Sequence, residues 1–480
     1  MDDFPVIVTN PDIQSISSFL ANNRPDRPLR EITFLIDHAF FELNPRGYHI
    51  QQIFWHCLNA FLIFSIAFRM SGTKAVAWIT ALLFLVHPVQ VEVVAQVSHR
   101  KESLALAFSL LSLLAYMRSF EVRRHKILWI AAAIALTLTA NLAKETAMVL
   151  PFIFLAYEAT FIPGKERILL KYPALVLLVL IISAVVCALW LQSIGGIETI
   201  RAKMHLSLIV HAGHLTQSEL QTWYPMIFKS WIFMVLKLLF PHDLAIEYVY
   251  PMPDSWWNPW VISAIFVVLL YVLSLYFAYR RYPIAFFALV WFAAFYIPAS
   301  NLLPLSYFAA DRYLYIPSFG FFLLLGLFFN YLFSKFRIAS LTSFLLIIAI
   351  LSVLTWKQNQ IWQSTLTLYS NAVRVSPASA FALSNLGWEY YHRYDIKRSL
   401  SLLKKATEVN PYLPMPYYNL ASIYEFFGDK EKALYYYFKS LSFSHYMPGF
   451  FEPTAQSIRK KLREQYGIMP DQVNANIFTE

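Results

Sequence analysis

The chain has 480 residues, of which 58% are hydrophobic and only 14% charged. Globular proteins carry about 25% charged residues, so this composition excludes an ordinary globular protein and indicates a polytopic helical membrane protein. The net charge of +10 would suggest nucleic acid in a soluble protein, but here the distribution of the charges matters more than their sum. Cys57 and Cys187, the two cysteines, lie in apolar runs and indicate no disulfide framework.

Apolar stretches long enough to cross a bilayer, which takes about 20 helical residues, recur from residue 49 onward. The segment 223–240 carries Lys229 and Lys237 among aromatic residues, which favours an interfacial or re-entrant helix that does not cross. We predict about ten spans, at approximately 49–69, 75–90, 102–118, 127–143, 146–161, 172–192, 258–279, 283–298, 313–333 and 338–356.

The connections between consecutive pairs of spans are basic. They read RMSGTK, RSFEVRRHK, PGKERILLK, YRRY and SKFR. Lys and Arg in short loops stay on the cytoplasmic side, so all five belong inside if 223–240 does not cross. The outer face then receives residues 1–48, HPVQVEVVAQVSHRKE, NLAKET, 193–257, PASNLLPLSYFAADRYLY and everything after 357. These segments can build one pocket together.

After Trp356 the composition becomes soluble and helical. NLGWEYY at 385–391 recurs as NLASIYE at 419–425, a spacing of 34 residues, which is the tetratricopeptide period. Three helical pairs at most are present, which is near the minimum for a stable stack. We predict units at 380–413 and 414–447, a degenerate earlier unit with a helix around 362–376, and a capping helix at 451–466. The domains are therefore 1–357 in the membrane, 358–466 as repeats and 467–480 as a tail.

Several stretches, in this order along the chain, resemble the transmembrane and tetratricopeptide-repeat O-mannosyltransferases and, more distantly, the protein O-mannosyltransferases. They are DD with TNPDI after it, RPLREITF, GYHIQQIFWHCLNA, FLVHPVQVEVVAQVSHRKESLA, LAKETAMVLP and IPASNLLPLSYFAADRYLYIPSFGF. Both groups belong to the GT-C class, which uses lipid-phosphate sugars. The resemblance implies an all-α fold, in which a polytopic membrane GT-C glycosyltransferase domain precedes a soluble tetratricopeptide-repeat solenoid.

The resemblance also implies an activity and a location. The expected reaction is inverting transfer of a hexose, with mannose as the first candidate, from a polyprenyl or dolichyl phosphate to a Ser or Thr hydroxyl of a translocated protein. Family members have a membrane helix before the acidic pair, so an eleventh span is expected upstream of Met1. The repeat region is shorter than in animal members, which favours a bacterial inner membrane with the site and repeats on the periplasmic side. In a eukaryote the site would face the lumen of the endoplasmic reticulum.

Asp2 and Asp3 are the predicted catalytic residues. Taken alone, two acids near a terminus are ordinary solvated residues, and it is the resemblance that assigns them to the site. Transfer of a sugar to a hydroxyl needs a carboxylate that takes the hydroxyl proton as the new bond forms. We predict Asp2 as the base and Asp3 as the group that orients it or the acceptor, although nothing in the sequence separates the two roles.

Three basic residues on the predicted outer side are candidates for binding the donor phosphate. Arg100 and Lys101 lie just before the span 102–118, and Arg312 lies just before the span 313–333. An arginine fork matches phosphate oxygens bidentately, and preorganised charge is often the largest catalytic term. The alternatives are an interfacial anchor for lipid headgroups at Arg100 and Lys101, and a structural ion pair at Arg312.

Other polar residues are predicted to line the pocket. Pro88 interrupts an apolar run, and broken helices at membrane depth either line a cavity or are packed in protein. His87 and Glu92 are therefore candidates, unless they simply end a span at the interface. The remaining candidates are Lys144, Glu145, Asp311 and His49. Paired charges at the tips of helical hairpins are often structural, and this is the alternative for Lys144, Glu145 and Asp311.

The histidines offer a weak hint of a metal site. His49 and His56 are seven residues apart and so share one helical face. No compact ligand spacing links them to the histidines of the later outer segment, His205, His211 and His214. Core or loop histidines are the better interpretation. We expect no required cofactor, and a divalent metal at the acidic pair is compatible with the chemistry but not indicated.

The expected partners are the lipid-linked sugar donor, a protein acceptor and membrane lipids, with no nucleic acid. The repeats can hold the acceptor peptide or a separate partner protein, because such stacks form concave binding surfaces. Three alternatives stay open. They are a GT-C enzyme that glycosylates a glycan or lipid, an inactive scaffold that recruits partners through its repeats, and a transporter, against which the sequence lacks paired broken helices in two matching halves.

Overall fold

The computed structural model describes residues 4–21, 27–172, 219–249, 255–302, 307–447 and 451–468, with scattered single positions between 174 and 188. Within these residues the regular structure is all helical, as predicted. The α-helices up to residue 361 are α1 (Ile16–Ala21), α2 (Pro28–Phe41), α3 (Pro45–Ser71), α4 (Lys74–Val86), α5 (Val91–Ala95), α6 (Arg100–Glu121), α7 (Lys126–Ala143), α8 (Leu150–Phe161), α9 (Glu219–Leu239), α10 (Pro259–Arg281), α11 (Pro283–Tyr296), α12 (Ser318–Lys335) and α13 (Arg337–Ile361). Those that follow are α14 (Thr365–Val375), α15 (Ala380–His392), α16 (Ile396–Val409), α17 (Pro414–Phe426), α18 (Lys430–Ser442) and α19 (Glu452–Tyr466).

Six helices in the described part of the chain are long and apolar enough to cross a membrane. They are α3, α6 with the turn before it, α7, α10, α12 and α13, and each matches a predicted span. A seventh crossing is formed if α4 and the segment Pro88–Ala95, which meet at a bend of 52°, count as one span. The chain is therefore a multi-pass membrane protein.

The remaining predicted spans differ from the structure or lie outside it. The span predicted at 283–298 is a shorter apolar helix, Pro283–Ala299. The span predicted at 146–161 divides into the 3₁₀ turn Glu145–Val149 and α8 of 12 residues. The prediction at 172–192 falls outside the continuous described segments. The helix α9, predicted not to cross, is absent from the candidate spans.

The chain between α4 and α6 is broken twice. Pro88 cannot continue α4, so His87 is extended, and its ring accepts a hydrogen bond from the Val89 amide at 3.3 Å. A second break follows α5, where Gln96 is extended before the 3₁₀ turn Val97–His99. Irregular backbone at this depth must be satisfied by protein groups, and Gln52 of α3 donates to the Val93 carbonyl at 2.8 Å.

Close helix packing holds the loop before α12 against this double break. A Cβ atom at Gly320 would lie 2.3 Å from the carbonyl oxygen of Ala288, and one at Gly326 would lie 2.6 Å from the hydroxyl of Thr80. Only glycine permits these two approaches, one to α11 and the other to α4. The Trp291 indole also donates to the Ile316 carbonyl at 2.9 Å. Residues 307–317 are thereby fixed beside the broken segment.

Three of the basic loops predicted to lie inside meet at one end of the bundle. Arg69 donates to Glu121 at 2.7 Å. Glu158 accepts the Tyr116 hydroxyl at 2.5 Å and the backbone amides of residues 168–170 at 2.8 to 3.0 Å. The double break and the loop 307–317 lie at the opposite end, so these basic loops are separated from the segments predicted to build a pocket.

Helices α14 to α19 form antiparallel pairs after the last span. α17 begins 34 residues after α15, and α18 begins 34 residues after α16, which is the period seen in the sequence. Ser379, Asp395 and Asp429 cap the helices that follow them. A Cβ atom at Gly387 would lie 2.8 Å from Leu403, so glycine allows α15 and α16 to pack closely. Helix α19 covers the last pair with buried apolar residues.

Residues 242–249, which we call the strap, join the repeats to the membrane part. Asn371 donates to the Leu244 carbonyl at 2.8 Å, and the Ser379 hydroxyl donates to Glu247 Oε2 at 2.7 Å. Ile246 of the strap packs against the apolar cluster of α14 and α15. The first repeat helices are therefore fixed at the same end of the bundle as the double break.

Candidate active site

Charged side chains from five separate segments converge at the end of the bundle that carries the double break. Most of them are buried, although a membrane protein gains little stability from charges in its interior. We call this group the charged cluster, and its members are Arg27, Arg30, Glu31, Asp37, Glu92, His99, Arg100, Lys101, Glu102, Lys144, Glu145, Asp311 and Arg312. Within the described part of the chain, every candidate site residue from Glu92 onward belongs to it.

Arg100 is the most enclosed cation of the charged cluster. Its side chain and that of Asp37 have no exposed surface, and Nη1 donates to Asp37 Oδ2 at 2.5 Å. Nη2 donates to the Tyr48 carbonyl at 3.0 Å, and Nε donates to Gln52 Oε1 at 3.1 Å. The guanidinium also lies 4.6 Å from the ring of Phe34. With so many donors committed, this geometry favours a positioning role over direct contact with a phosphate.

Glu92 joins the broken segment to the loop before α12. The Arg312 backbone amide donates to Glu92 Oε2 at 2.9 Å, and the Arg312 guanidinium pairs with Oε1. His99 Nε2 lies 3.5 Å from the same Oε1. The Arg312 guanidinium also lies 4.9 Å and 5.1 Å from the rings of Tyr307 and Tyr313. Glu92 therefore orients both a cation and an imidazole.

Asp311 faces away from Arg312, toward the strap. The Tyr248 hydroxyl donates to Asp311 Oδ1 at 2.6 Å and itself accepts from the Ala245 amide at 3.1 Å. Burial raises the pKa of Asp311 well above its usual value, and the nearby Glu92 carboxylate raises it further. Asp311 therefore links the loop before α12 to the strap through Tyr248.

The tip of the α7–α8 hairpin contributes two further ion pairs. Lys144 Nζ lies 2.6 Å from each oxygen of Glu102. Glu145 pairs with Arg27. Burial raises the pKa of Glu145, but the positive charges of Arg27 and Lys144 outweigh this effect and hold the pKa at about 2. Glu145 is thus ionised at any physiological pH.

Lys101 differs from the other cations of the cluster. It is half-buried, and it lies within electrostatic reach of Arg27, Arg30, Lys144 and Glu102. Within the described part of the chain it forms no ion pair, whereas each of the other candidate cations has a carboxylate partner. The cluster therefore contains one lysine without an ion-pair partner in the described residues, among several positive neighbours, and a bound anion would stabilise the protonated form of this lysine.

The other candidate residues lie outside the charged cluster. His87 Nε2 is 3.1 Å from the Leu238 carbonyl, and its ring caps the turn after Pro88. His49 has an exposed side chain on α3. His56, which lies seven residues after His49 on the same helix, is buried, and its Nδ1 lies 3.0 Å from the Tyr315 hydroxyl. The predicted catalytic pair and the three later histidines lie outside the described residues, namely Asp2, Asp3, His205, His211 and His214.

The described residues contain no group of three or more His, Cys, Asp and Glu side chains that could hold a metal ion. Asp2 and Asp3 are not part of that set. The expectation that no metal is required at the acidic pair is therefore left to the activity assay.

An apolar cavity of about 300 Å³ lies near the charged cluster. Trp231 of its wall packs edge-on against Tyr296, with 4.9 Å between the ring centres. The neighbouring Ser230 hydroxyl reaches the Phe308 carbonyl at 3.4 Å, so the cavity adjoins the loop that carries Arg312. Its lining residues are Ile227, Phe228, Trp231, Trp256, Val268 and Leu302.

Sequence reasoning missed several members of the site. Asp37 is one, although a signal was available, because Arg30, Phe34 and Asp37 recur at helical spacing on one face of α2 and all three are buried. A charge on a buried face requires a partner. Tyr248 and Glu247 carry no comparable signal, because the strap has no periodic pattern.

The fold and the charged cluster define a class: a multi-pass helical membrane protein with buried charged side chains at one end of its bundle and helical repeats fixed beside them. The chain is similar to protein O-mannosyl-transferase TMTC3 of Homo sapiens, with 26% identity over 417 residues that cover 80% of this chain and 44% of that protein. It is also similar to protein O-mannosyl-transferase F38B6.6 of Caenorhabditis elegans, with 25% identity over 388 residues, or 78% and 52% of the two chains.

A third relative is protein O-mannosyl-transferase TMTC1 of Homo sapiens, with 25% identity over 448 residues that cover 79% of this chain and 49% of that protein. These relatives confirm the resemblance to the transmembrane and tetratricopeptide-repeat O-mannosyltransferase family. The chain spans about half the length of the curated relatives it matches. No family model and no solved structure matches it.

Proposed function

We propose that the chain is an inverting glycosyltransferase that moves a hexose, with mannose as the first candidate, from a polyprenyl or dolichyl phosphate to a Ser or Thr hydroxyl of a protein. One observation carries the proposal: five segments bring a buried charged cluster together at a helix break, next to an apolar cavity. Relatives named as protein O-mannosyl-transferases, similar to this chain over about four-fifths of its length, support it.

In the proposed reaction the acceptor hydroxyl oxygen attacks the anomeric carbon of the sugar. The new carbon–oxygen bond forms as the bond between that carbon and the phosphate oxygen breaks, and the hydroxyl proton passes to Asp2. The leaving lipid phosphate keeps the electron pair of the broken bond. Direct displacement inverts the anomeric centre. Asp3 orients Asp2 or the acceptor.

The charged cluster would stabilise the leaving phosphate. Lys101 is the cation proposed to contact it, because the described structure leaves this residue without an ion-pair partner. Arg312, aligned by Glu92, would supply a second positive charge. Arg100 would act through the backbone of α6, since its pairing with Asp37 fixes the start of that helix.

The donor's lipid tail is proposed to occupy the apolar cavity at Trp231, because the lining is apolar like the surrounding lipid and accepts a hydrocarbon chain without burying polar groups against it. The donor phosphate would then reach the neighbouring loop 307–317. The acceptor would approach from the aqueous side, where the first repeats and the strap meet the cluster. The basic loops at the opposite end support an outer or luminal position for the cluster, because Lys and Arg in short loops stay on the cytoplasmic side. The compartment is then the bacterial periplasm or the lumen of the endoplasmic reticulum.

The test is transfer of radiolabelled mannose from polyprenyl-phosphate mannose to a Ser/Thr peptide by the full chain in proteoliposomes. We expect transfer by the native protein and a loss of at least 100-fold in the Asp2→Asn/Asp3→Asn variant, because general-base catalysis contributes about 10²–10⁴-fold. Glu42→Gln, an exposed acid-to-amide change in the same outer segment, is the matched control and should retain activity. An arm with EDTA tests metal dependence.

The other outcomes separate the alternatives. Label in a lipid or glycan fraction, with none in the peptide, would favour a GT-C enzyme with a different acceptor. Equal activity in native protein and the double variant would remove Asp2 and Asp3 from the mechanism. Absence of transfer from each of several donor sugars would favour the inactive scaffold.

A further inference from the structure

His99 occupies the centre of the charged cluster, in the 3₁₀ turn between the second break and α6. Its side chain is about 95% buried, and Nε2 faces Glu92 Oε1 at 3.5 Å. The other ring nitrogen, Nδ1, is also buried, and within the described residues it has no hydrogen-bond partner. Buried polar atoms are nearly always paired, so this nitrogen points to a partner other than the described residues.

The hydrogen on the ring can be placed from its surroundings. Glu92 accepts from the amide and the guanidinium of Arg312, so it is an ionised acceptor, and the nitrogen that faces it must carry the hydrogen. A second hydrogen, on Nδ1, would make a buried charged donor with no acceptor within the described residues, and an unpaired buried group costs more when it is charged. The imidazole is therefore neutral, and Nδ1 presents a lone pair.

A lone pair selects its ligand by chemistry. A phosphate oxygen is itself an acceptor and cannot pair with neutral Nδ1, whereas a hydroxyl can donate to it. The neighbouring cations, Lys101 and Arg312, suit the phosphate instead. The charged cluster thus offers positive charge for a phosphate and, beside it, a fixed acceptor for a hydroxyl.

We propose that His99, held by Glu92, accepts a hydrogen bond from a hydroxyl group of the transferred sugar and so contributes to the choice of sugar. This inference rests on the proposed function and adds a residue that contacts the sugar and helps to determine sugar specificity. A pocket built around a buried acceptor discriminates against an analogue that lacks the matching hydroxyl, because the acceptor is then left unpaired.

The experiment compares the parent hexose donor with its set of monodeoxy analogues, each as the polyprenyl phosphate, in proteoliposomes of the full chain. We expect the native protein to discriminate against one analogue by roughly tenfold or more in kcat/KM. His99→Gln keeps a donor toward Glu92 but has no acceptor at the position of Nδ1, and it should lose that discrimination. His99→Asn keeps a polar group near the position of Nδ1 and should retain part of it.

The readout is the ratio of kcat/KM for the parent donor to kcat/KM for the deoxy donor, measured within each variant. A loss of activity that affects both donors equally therefore cancels. For a variant too slow to assay, donor binding without acceptor gives the same ratio through competition between the parent and deoxy donors. An unchanged ratio in His99→Gln, or native protein that treats every analogue like the parent, would overturn the inference while leaving the transferase intact. Absence of transfer and of donor binding in the native protein would instead contradict the proposed function.

Discussion

Ion pairs in the charged cluster and in the repeats differ in what surrounds them. Arg100 and Asp37 have no exposed side-chain surface, whereas Lys432 and Asp429 of the repeats are 59% and 34% exposed. Burial of an ion pair costs several kcal/mol per ion, and apolar residues of similar volume often stabilise a protein as well or better. An exposed pair contributes little either way. The buried pairs therefore indicate a requirement for charge at fixed positions, while the repeat pairs indicate a solvated surface.

The largest expected effect comes from breaking the most buried pair. Asp37→Ala should lower the free energy of unfolding by about 3–5 kcal/mol, because Arg100 is left as an uncompensated buried charge. Thermal unfolding of the detergent-solubilised protein measures this.

The matched control replaces both charges at once. Asp37→Leu with Arg100→Met should recover most of the lost stability, because no charge is then left unpaired, yet it should not recover transferase activity. A single variant as stable as the native protein would mean that Arg100 is not held as the structure describes.

The second largest effect is expected in the rate of sugar transfer. Glu92→Gln keeps the volume of the side chain but removes the charge that aligns Arg312 and His99. We expect kcat/KM for sugar transfer to fall on the order of 100-fold, since a displacement of about 1 Å in a catalytic group can have that effect. Glu121→Gln is the control, because it also pairs with arginines, Arg69 and Arg118, but at the opposite end of the bundle. Equal losses in the two variants would assign Glu92 a purely structural role.

A smaller effect is expected at the strap, where the two regions meet. Burial raises the pKa of Glu247 to about 7, and its Oε1 has no hydrogen-bond partner within the described residues. A raised carboxyl pKa means that the folded state holds the proton more tightly than the unfolded state. Stability therefore falls as the pH rises from the unfolded pKa, about 4.3, through 7.

Between pH 5.5 and 8 this loss should amount to about 2 kcal/mol, and Glu247→Gln should abolish it. Glu145 supplies the contrast, because its depressed pKa confines its contribution to a loss at acidic pH, as the pH falls toward 2. Thermal unfolding as a function of pH measures both. A slope that persists in Glu247→Gln would assign the titration to another group.

The sequence predicts most of this architecture because two strong signals are local. Hydropathy locates the spans, and the 34-residue recurrence of NLGWEYY locates the repeat helices. Pro88 likewise predicts a break. The second break at Gln96 carries no proline or glycine, and it forms where Gln52 and Arg100 satisfy groups around it. Such a break depends on partners distant in sequence.

The pairings within the site depend on contacts between distant parts of the chain. Arg100 and Asp37 are 63 residues apart, and Arg312 and Glu92 are 220 residues apart. The resemblance singles out Arg100 and Arg312 but does not name their carboxylates, so the sequence alone cannot show which cation is left uncommitted. That distinction, which singles out Lys101, comes from packing.

The smallest expected effect concerns the exposed ion pairs of the repeats. Lys432→Ala removes an exposed pair with Asp429, and we expect the melting temperature to stay unchanged, because water solvates both ions equally well when they are separated. Lys461→Ala is the informative counterpart. Lys461 of the capping helix reaches Glu425 at 2.6 Å and the Tyr437 hydroxyl at 3.2 Å, so it joins three helices and its loss should lower the melting temperature measurably. If Lys432→Ala proved as destabilising as Lys461→Ala, exposure would not be what separates the two kinds of ion pair, and the inference that the cluster's charges serve chemistry would lose its support.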